Sequence, residues 1–166
     1  MLKMYHYARP ENTILKNGLL GIKKSGRSLH IYAHRAGTDD ADKIYEWLDS
    51  TFEGRSNSIS CLTEKIVWKG NDKALKSIVD GSELFSFDLE QLVQDGIVTA
   101  IWCKYGSGAG GYNEKFKKVE LKEVDCSPLT WEKCDSTKDL LFAVVRHYML
   151  VLKDGFIPAK YLQREN

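Results

Sequence analysis

Glycine closes almost every patterned segment of this chain before it grows long. Gly18 follows Ile14 and Leu15, Gly54 follows Ala41 to Phe52, and Gly81 follows Ala74 to Val79. Gly96 follows Phe87 to Val93, and Gly155 follows the last apolar run. Short elements cannot bury their apolar faces alone, so they must pack on one another around a shared core. With 166 residues, 43% of them apolar, the chain suits one ordinary core, and residues 1–166 are expected to form a single globular domain. No apolar run approaches the roughly 18 residues that span a bilayer. The opening Met1-Leu2-Lys3-Met4-Tyr5-His6 lacks the apolar stretch of a secretory leader.

Charge and cysteine usage narrow the class further. Twenty-four basic and twenty-three acidic residues leave a net charge of +1, which gives no global pull toward nucleic acid or membrane. Cys61, Cys103, Cys126 and Cys134 form no CxxC pair, so a zinc knuckle is poorly supported. Cys61 and Cys103 lie in apolar runs and read as buried free thiols. A reducing, cytoplasmic setting fits best, and secretion into a host cytosol would look the same.

Periodicity predicts an α+β chain. Tyr5-His6-Tyr7 reads as a strand, Ile14 to Leu19 as a short helix, and Gly21 to Ser28 as a basic turn. Leu29-His30-Ile31-Tyr32-Ala33 reads as a second strand. Ala41, Ile44, Tyr45, Leu48 and Phe52 recur at helical spacing behind a Thr38 cap. Ser58 to Thr63, Ile97 to Cys103 and Phe116 to Val124 read as strands. Residues 71–96 read as two short helices, and a long helix is expected over residues 137–153. The Gly106 to Gly111 stretch lacks the lysine and hydroxyl of a phosphate-cradling loop and precedes a strand, so it is no P-loop.

The opening segment carries the most chemistry. Tyr5-His6 on a first strand, then Ile14-Leu15-Lys16-Asn17-Gly18-Leu19, resembles the start of the ADP-ribosyltransferase-like superfamily in its histidine-bearing branch. Two segments compete for that family's second motif. One is Leu29 to Ala33 with the helix from Ala41; the other is the serine-rich strand Ser58-Ile59-Ser60-Cys61-Leu62-Thr63. The resemblance implies a split two-sheet core with peripheral helices, and the long C-terminal helix is an addition to it. It also implies NAD as substrate and transfer of ADP-ribose to an unidentified acceptor, protein or nucleic acid. His6 would hold the ribose, with Tyr5, Tyr7 and Arg9 beside the cofactor. Tyr32 would act in catalysis through a face stacked on the nicotinamide or through its hydroxyl, and Glu114 would be the catalytic carboxylate, with Glu120 and Glu123 as alternatives. Lys23, Lys24, Arg27 and Arg9 are candidates for a pyrophosphate. No clean ExE or QxE pattern is present.

Each of these residues also has a plain structural reading: His6 bonding a backbone carbonyl, Tyr32 in a core, Glu114 on a solvated loop. Other chemistry stays open. His30 and His34 lie roughly 13 Å apart on a strand, too far for one ion unless the chain bends at Ala33 toward Asp39 and Asp40. Cys126 or Cys134 with His147 is a weaker nucleophile pairing. Trp47, Trp68, Trp102 and Trp131 also suit a non-catalytic protein- or nucleotide-binding module.

Overall fold

The computed structural model describes residues 1–10, 13–27, 29–66, 80–105, 115–127 and 146–166. Helices and antiparallel strands are mixed. Strand β1 (Lys3–Ala8) pairs with β4 (Glu83–Asp88), which pairs with β9 (Gln163–Arg164). A second sheet runs β3 (Ser58–Cys61), β7 (Arg146–Leu152), β5 (Val98–Tyr105), β6 (Lys115–Val119). The short strands β2 (Leu19–Leu20) and β8 (Phe156–Ile157) form a separate pair. The helices are α1 (Ile14–Asn17), α2 (Ile22–Ser25), α3 (Leu29–Ala36), α4 (Ala41–Thr51) and α5 (Leu89–Gln94).

A backbone bridge joins strand β1 of the first sheet to the residue just past β3 of the second. The Tyr5 amide donates to the Leu62 carbonyl at 2.8 Å, and the Leu62 amide donates back to Tyr5 at 2.9 Å. Met4, Phe85 and Phe87 of the first sheet share one apolar core with Ile59, Cys61, Ile101, Leu150 and Leu152 of the second. Cys61 and Cys103 are buried free thiols within it, as their apolar settings suggested. Burial pushes the Cys61 thiol well above its ordinary range.

The amphipathic run from Ala41 forms α4, with Ile44 and Leu48 buried. Its cap is Asp40 rather than Thr38: the Asp40 carboxylate accepts from the Lys43 amide at 3.2 Å, while the Thr38 hydroxyl accepts from the Asp40 amide. Past its end, Phe52 stacks on Trp102 at 4.8 Å. The buried Arg55 guanidinium lies 5.0 Å from the Phe116 ring and donates to the Thr51 hydroxyl at 2.9 Å. These groups cover one part of the second sheet.

Three sequence expectations are corrected. Leu29 to Ala33 is helical, because α3 finds a partner in α4 rather than in a strand, and the Gly37 amide closes it by donating a hydrogen bond to the Ala33 carbonyl. Residues 146–152 are not the end of a long helix but β7, set between β3 and β5. An apolar run buried by two neighbours needs no amphipathic stripe, so its periodicity is ambiguous. Phe87 likewise belongs to β4, and the helix starts only at Leu89, capped by Asp88. Smaller differences are the helical turn α2 inside the basic loop and the end of β6 at Val119. The expected helix at residues 74–79, the glycine loop at 106–111, and Trp68, Trp131, Cys134 and residues 137–145 lie outside the described residues.

The chain's last residues are tied to the first sheet. Glu165 accepts from Lys3 at 2.6 Å and from the Ser86 hydroxyl at 2.6 Å, with Lys65 at 3.6 Å. Hydrogen bonds from the Lys3 ammonium and the Ser86 hydroxyl hold its carboxyl down at about 2.

Candidate functional site

His6 follows Tyr5, which bridges to Leu62, and lines a cavity. It pairs in register with the fully buried Phe85, which gives its ring an apolar flank. Its Nδ1 lies 2.5 Å from the Ser60 carbonyl oxygen. A carbonyl only accepts, so Nδ1 carries the hydrogen and donates. By exposed area the residue is only half-buried, yet protein crowds the ring, and this desolvation lowers its pKa below the ordinary histidine value. The neutral ring therefore keeps a lone pair at Nε2.

A cavity of about 270 Å³ opens here. The end of β1 supplies His6, Tyr7 and Arg9. The α1–β2 turn supplies Asn17 and Gly18, while α2 and the turn after it supply Ser25 and Arg27. Tyr32 reaches the cavity from α3. The floor is Ser58, Ile59 and Ser60 of β3 with Met149 of β7, which stands directly opposite Ser60. The backbone turn at Gly18 has φ 84° and abuts the Ile157 carbonyl, so a side chain there meets both strain and collision.

The structure thus brings together His6, Tyr7, Arg9 and Tyr32. Tyr7 lines the cavity while its hydroxyl accepts from the Ile66 amide at 2.8 Å. Burial raises the Tyr7 pKa. Tyr5 does not join them: its ring lies beneath the Lys3 and Lys65 ammonium groups, 5.5 and 5.8 Å away. Of the basic loop, Arg27 lines the cavity, whereas Lys23 and Lys24 sit over the Tyr45 and Phe156 rings. Tyr32 arrives on a helix, not on a strand as the sequence suggested. Of the two second-motif segments, Ser58–Cys61 is the strand beside His6.

Of the three carboxylate candidates, Glu120 and Glu123 stand apart from the cleft. Glu114 lies outside the described residues. Glu120 and Glu123 close a 3-10 turn over Leu121–Glu123, where the Glu120 amide donates to Glu123 at 3.0 Å, and neither lines the cavity. Among the described lining residues there is no aspartate or glutamate. No three metal-ligating side chains converge among the described residues, so Asp39 and Asp40 do not gather with His34 around an ion. Cys126 is exposed beside the Val124 carbonyl, and His147 lies on β7 rather than on a helix.

Asn17 and Met149 are lining residues that sequence reasoning missed. Asn17 was visible just ahead of Gly18, at the end of a short helix. Met149 depended on the strand identity of β7 and left no local signal.

The lining carries a neutral imidazole acceptor, two guanidinium groups, hydroxyls and an aromatic ring. That set suits a ligand with hydroxyl groups, an anionic group and a flat apolar part. Compared with known proteins, the chain matches no family model, no curated protein and no solved structure. Among the described residues no helix is long and apolar enough to cross a membrane.

Proposed function

We propose that the cleft receives a nucleotide of the NAD type and that the protein acts as an ADP-ribosyltransferase-like enzyme. The observation that supports this most is the meeting of His6, Arg9, Arg27 and Tyr32, from separate segments, in one cavity floored by the Ser58–Ser60 strand. His6 Nε2 accepts from a ribose hydroxyl, the guanidinium groups face the pyrophosphate, and Tyr32 stacks on a base. In the transfer the ribose C1–nicotinamide bond breaks and nicotinamide leaves with the electron pair. The acceptor, a protein or nucleic acid, bonds to C1 and loses its proton. Glu114 remains the carboxylate proposed to steady the cationic transition state.

A second reading is binding without transfer. It is favoured by Met149 on the floor and by the lack of any carboxylate among the described lining residues. Titration with NAD, together with nicotinamide release measured over time with and without candidate acceptors, separates the two. Under the first reading His6→Ala weakens binding up to about tenfold, the worth of one neutral hydrogen bond, and Glu114→Ala abolishes release while sparing binding. Binding without release under every acceptor tried supports the second reading. No binding at all refutes both.

A further inference from the structure

Helix α3 carries a second group of chemistry, away from the cleft. As a strand, His30 and His34 would be far apart; as a helix, they are one turn apart on the same face, with β-carbons about 6 Å from each other. Both are exposed and both line a concavity closed by Ala33, Gly37, Thr38 and Asp39. Tyr32 sits two residues from each, so it projects to the other side of the helix, where it lines the cleft.

The loop after α3 is fixed by backbone bonds. The Gly37 and Thr38 amides donate to the Ala33 carbonyl at 2.9 and 3.2 Å, and the Asp40 amide donates to Thr38. This keeps Asp39 at the edge of the concavity. The nearest cation in sequence, Arg35, is drawn to the Trp47 ring of α4 at 5.4 Å.

Helix α3 is also short and has no fully buried residue. A helix of eight residues is marginal without outside support. A cation held between His30 and His34 would clamp one turn of it.

We propose that His30 and His34 form a two-imidazole site for a divalent cation of the zinc class, with water at the remaining positions, and that its occupancy orders α3. Imidazole nitrogen is a preferred donor for such cations, and the i, i+4 spacing on a helix presents two of them to one ion. Asp39 adds negative charge at the edge, not a third ligand. The site stands whatever fills the cleft.

The test is a zinc titration of the chelator-stripped, full-length protein by calorimetry, paired with hydrogen exchange over residues 29–36. One zinc ion binds per chain and exchange over α3 slows severalfold. His30→Ala and His34→Ala each weaken binding by at least about tenfold and abolish the slowing. Both residues are exposed and alanine favours helix, so neither variant threatens folding. His147→Ala and Cys126→Ser leave the affinity unchanged. Affinity unaltered by the α3 variants, or lost with Cys126→Ser, overturns the site. Binding at α3 with unchanged exchange overturns the ordering role.

Discussion

The two walls of the cleft are built by different means. The β3–β7–β5 wall is packed from behind: Ile59, Cys61, Ile101, Leu150 and Leu152 are all buried. The α1–α3 wall has little apolar anchorage. Of its helices only α1 holds a buried residue, Ile14, and α2 and α3 hold none. It is shaped by the Gly18 turn, the β2–β8 pair and cation–ring contacts such as Lys23 over Tyr45 and Arg35 over Trp47. One wall supplies rigidity, and the other supplies Asn17, Ser25, Arg27 and Tyr32 to meet a ligand, beside His6, Tyr7 and Arg9 from β1 and its end. Stability and recognition are thus largely separable here, since side-chain changes on α2 and α3, which bury no residue, cost little folding free energy.

That contrast is open to direct attack. The largest expected effect is Leu150→Ala, which removes a fully buried side chain and costs about 2–5 kcal/mol in denaturant unfolding. A loss below about 1 kcal/mol would mean the strand wall is not the rigid one. Gly18→Ala forces a strained backbone against Ile157 and costs about 1–3 kcal/mol. It should also reshape the cleft, read as weaker nucleotide binding than wild type.

Glu165→Gln probes the ties of the first sheet. The folded carboxyl titrates at about 2, below its ordinary 4.5, so its stabilisation is full above pH 4.5 and fades as pH falls toward 2. Melting temperatures of wild type and variant should therefore differ at neutral pH and converge near pH 2. A gap that persists at pH 2 would assign the effect to packing instead of charge. The smallest change is Arg35→Ala, which loses a partly exposed cation–ring contact worth about 0.5–1 kcal/mol. Its sharper readout is faster hydrogen exchange in α3 with global stability nearly unchanged.

Legibility in the sequence followed the same division. The amphipathic α4 and the β-branched, aromatic run of β5 declare themselves locally, because each buries one face or a short run with few alternatives. Helix α3 and strand β7 did not. Leu29 to Ala33 fits either period, and packing on α4 decides it. Strand β7 is defined by partners far away in the sequence, Ser58 to Cys61 on one side and Val98 to Tyr105 on the other. In the candidate site His6, Arg9 and Tyr32 meet in one cavity, although Tyr32 was expected on a strand. Alternation along β1 does not separate Tyr5 from Tyr7, which lines the cavity; the Lys3 and Lys65 ammonium groups over the Tyr5 ring mark its different setting. The serine-rich strand was visible as one of two alternatives; its position beside His6 was not, because one long-range backbone contact sets it.

Cys61 gives the rigid wall a clock. Its thiol is buried, and its Sγ lies 3.6 Å from the Tyr148 carbonyl across the β3–β7 seam. A thiol reagent reaches exposed Cys126 at once, whereas it reaches Cys61 only when that seam parts. The rate of alkylation at Cys61, resolved from that at buried Cys103, therefore counts openings of the cleft floor, and a ligand that bridges Ser60 and Met149 should make that clock run slower.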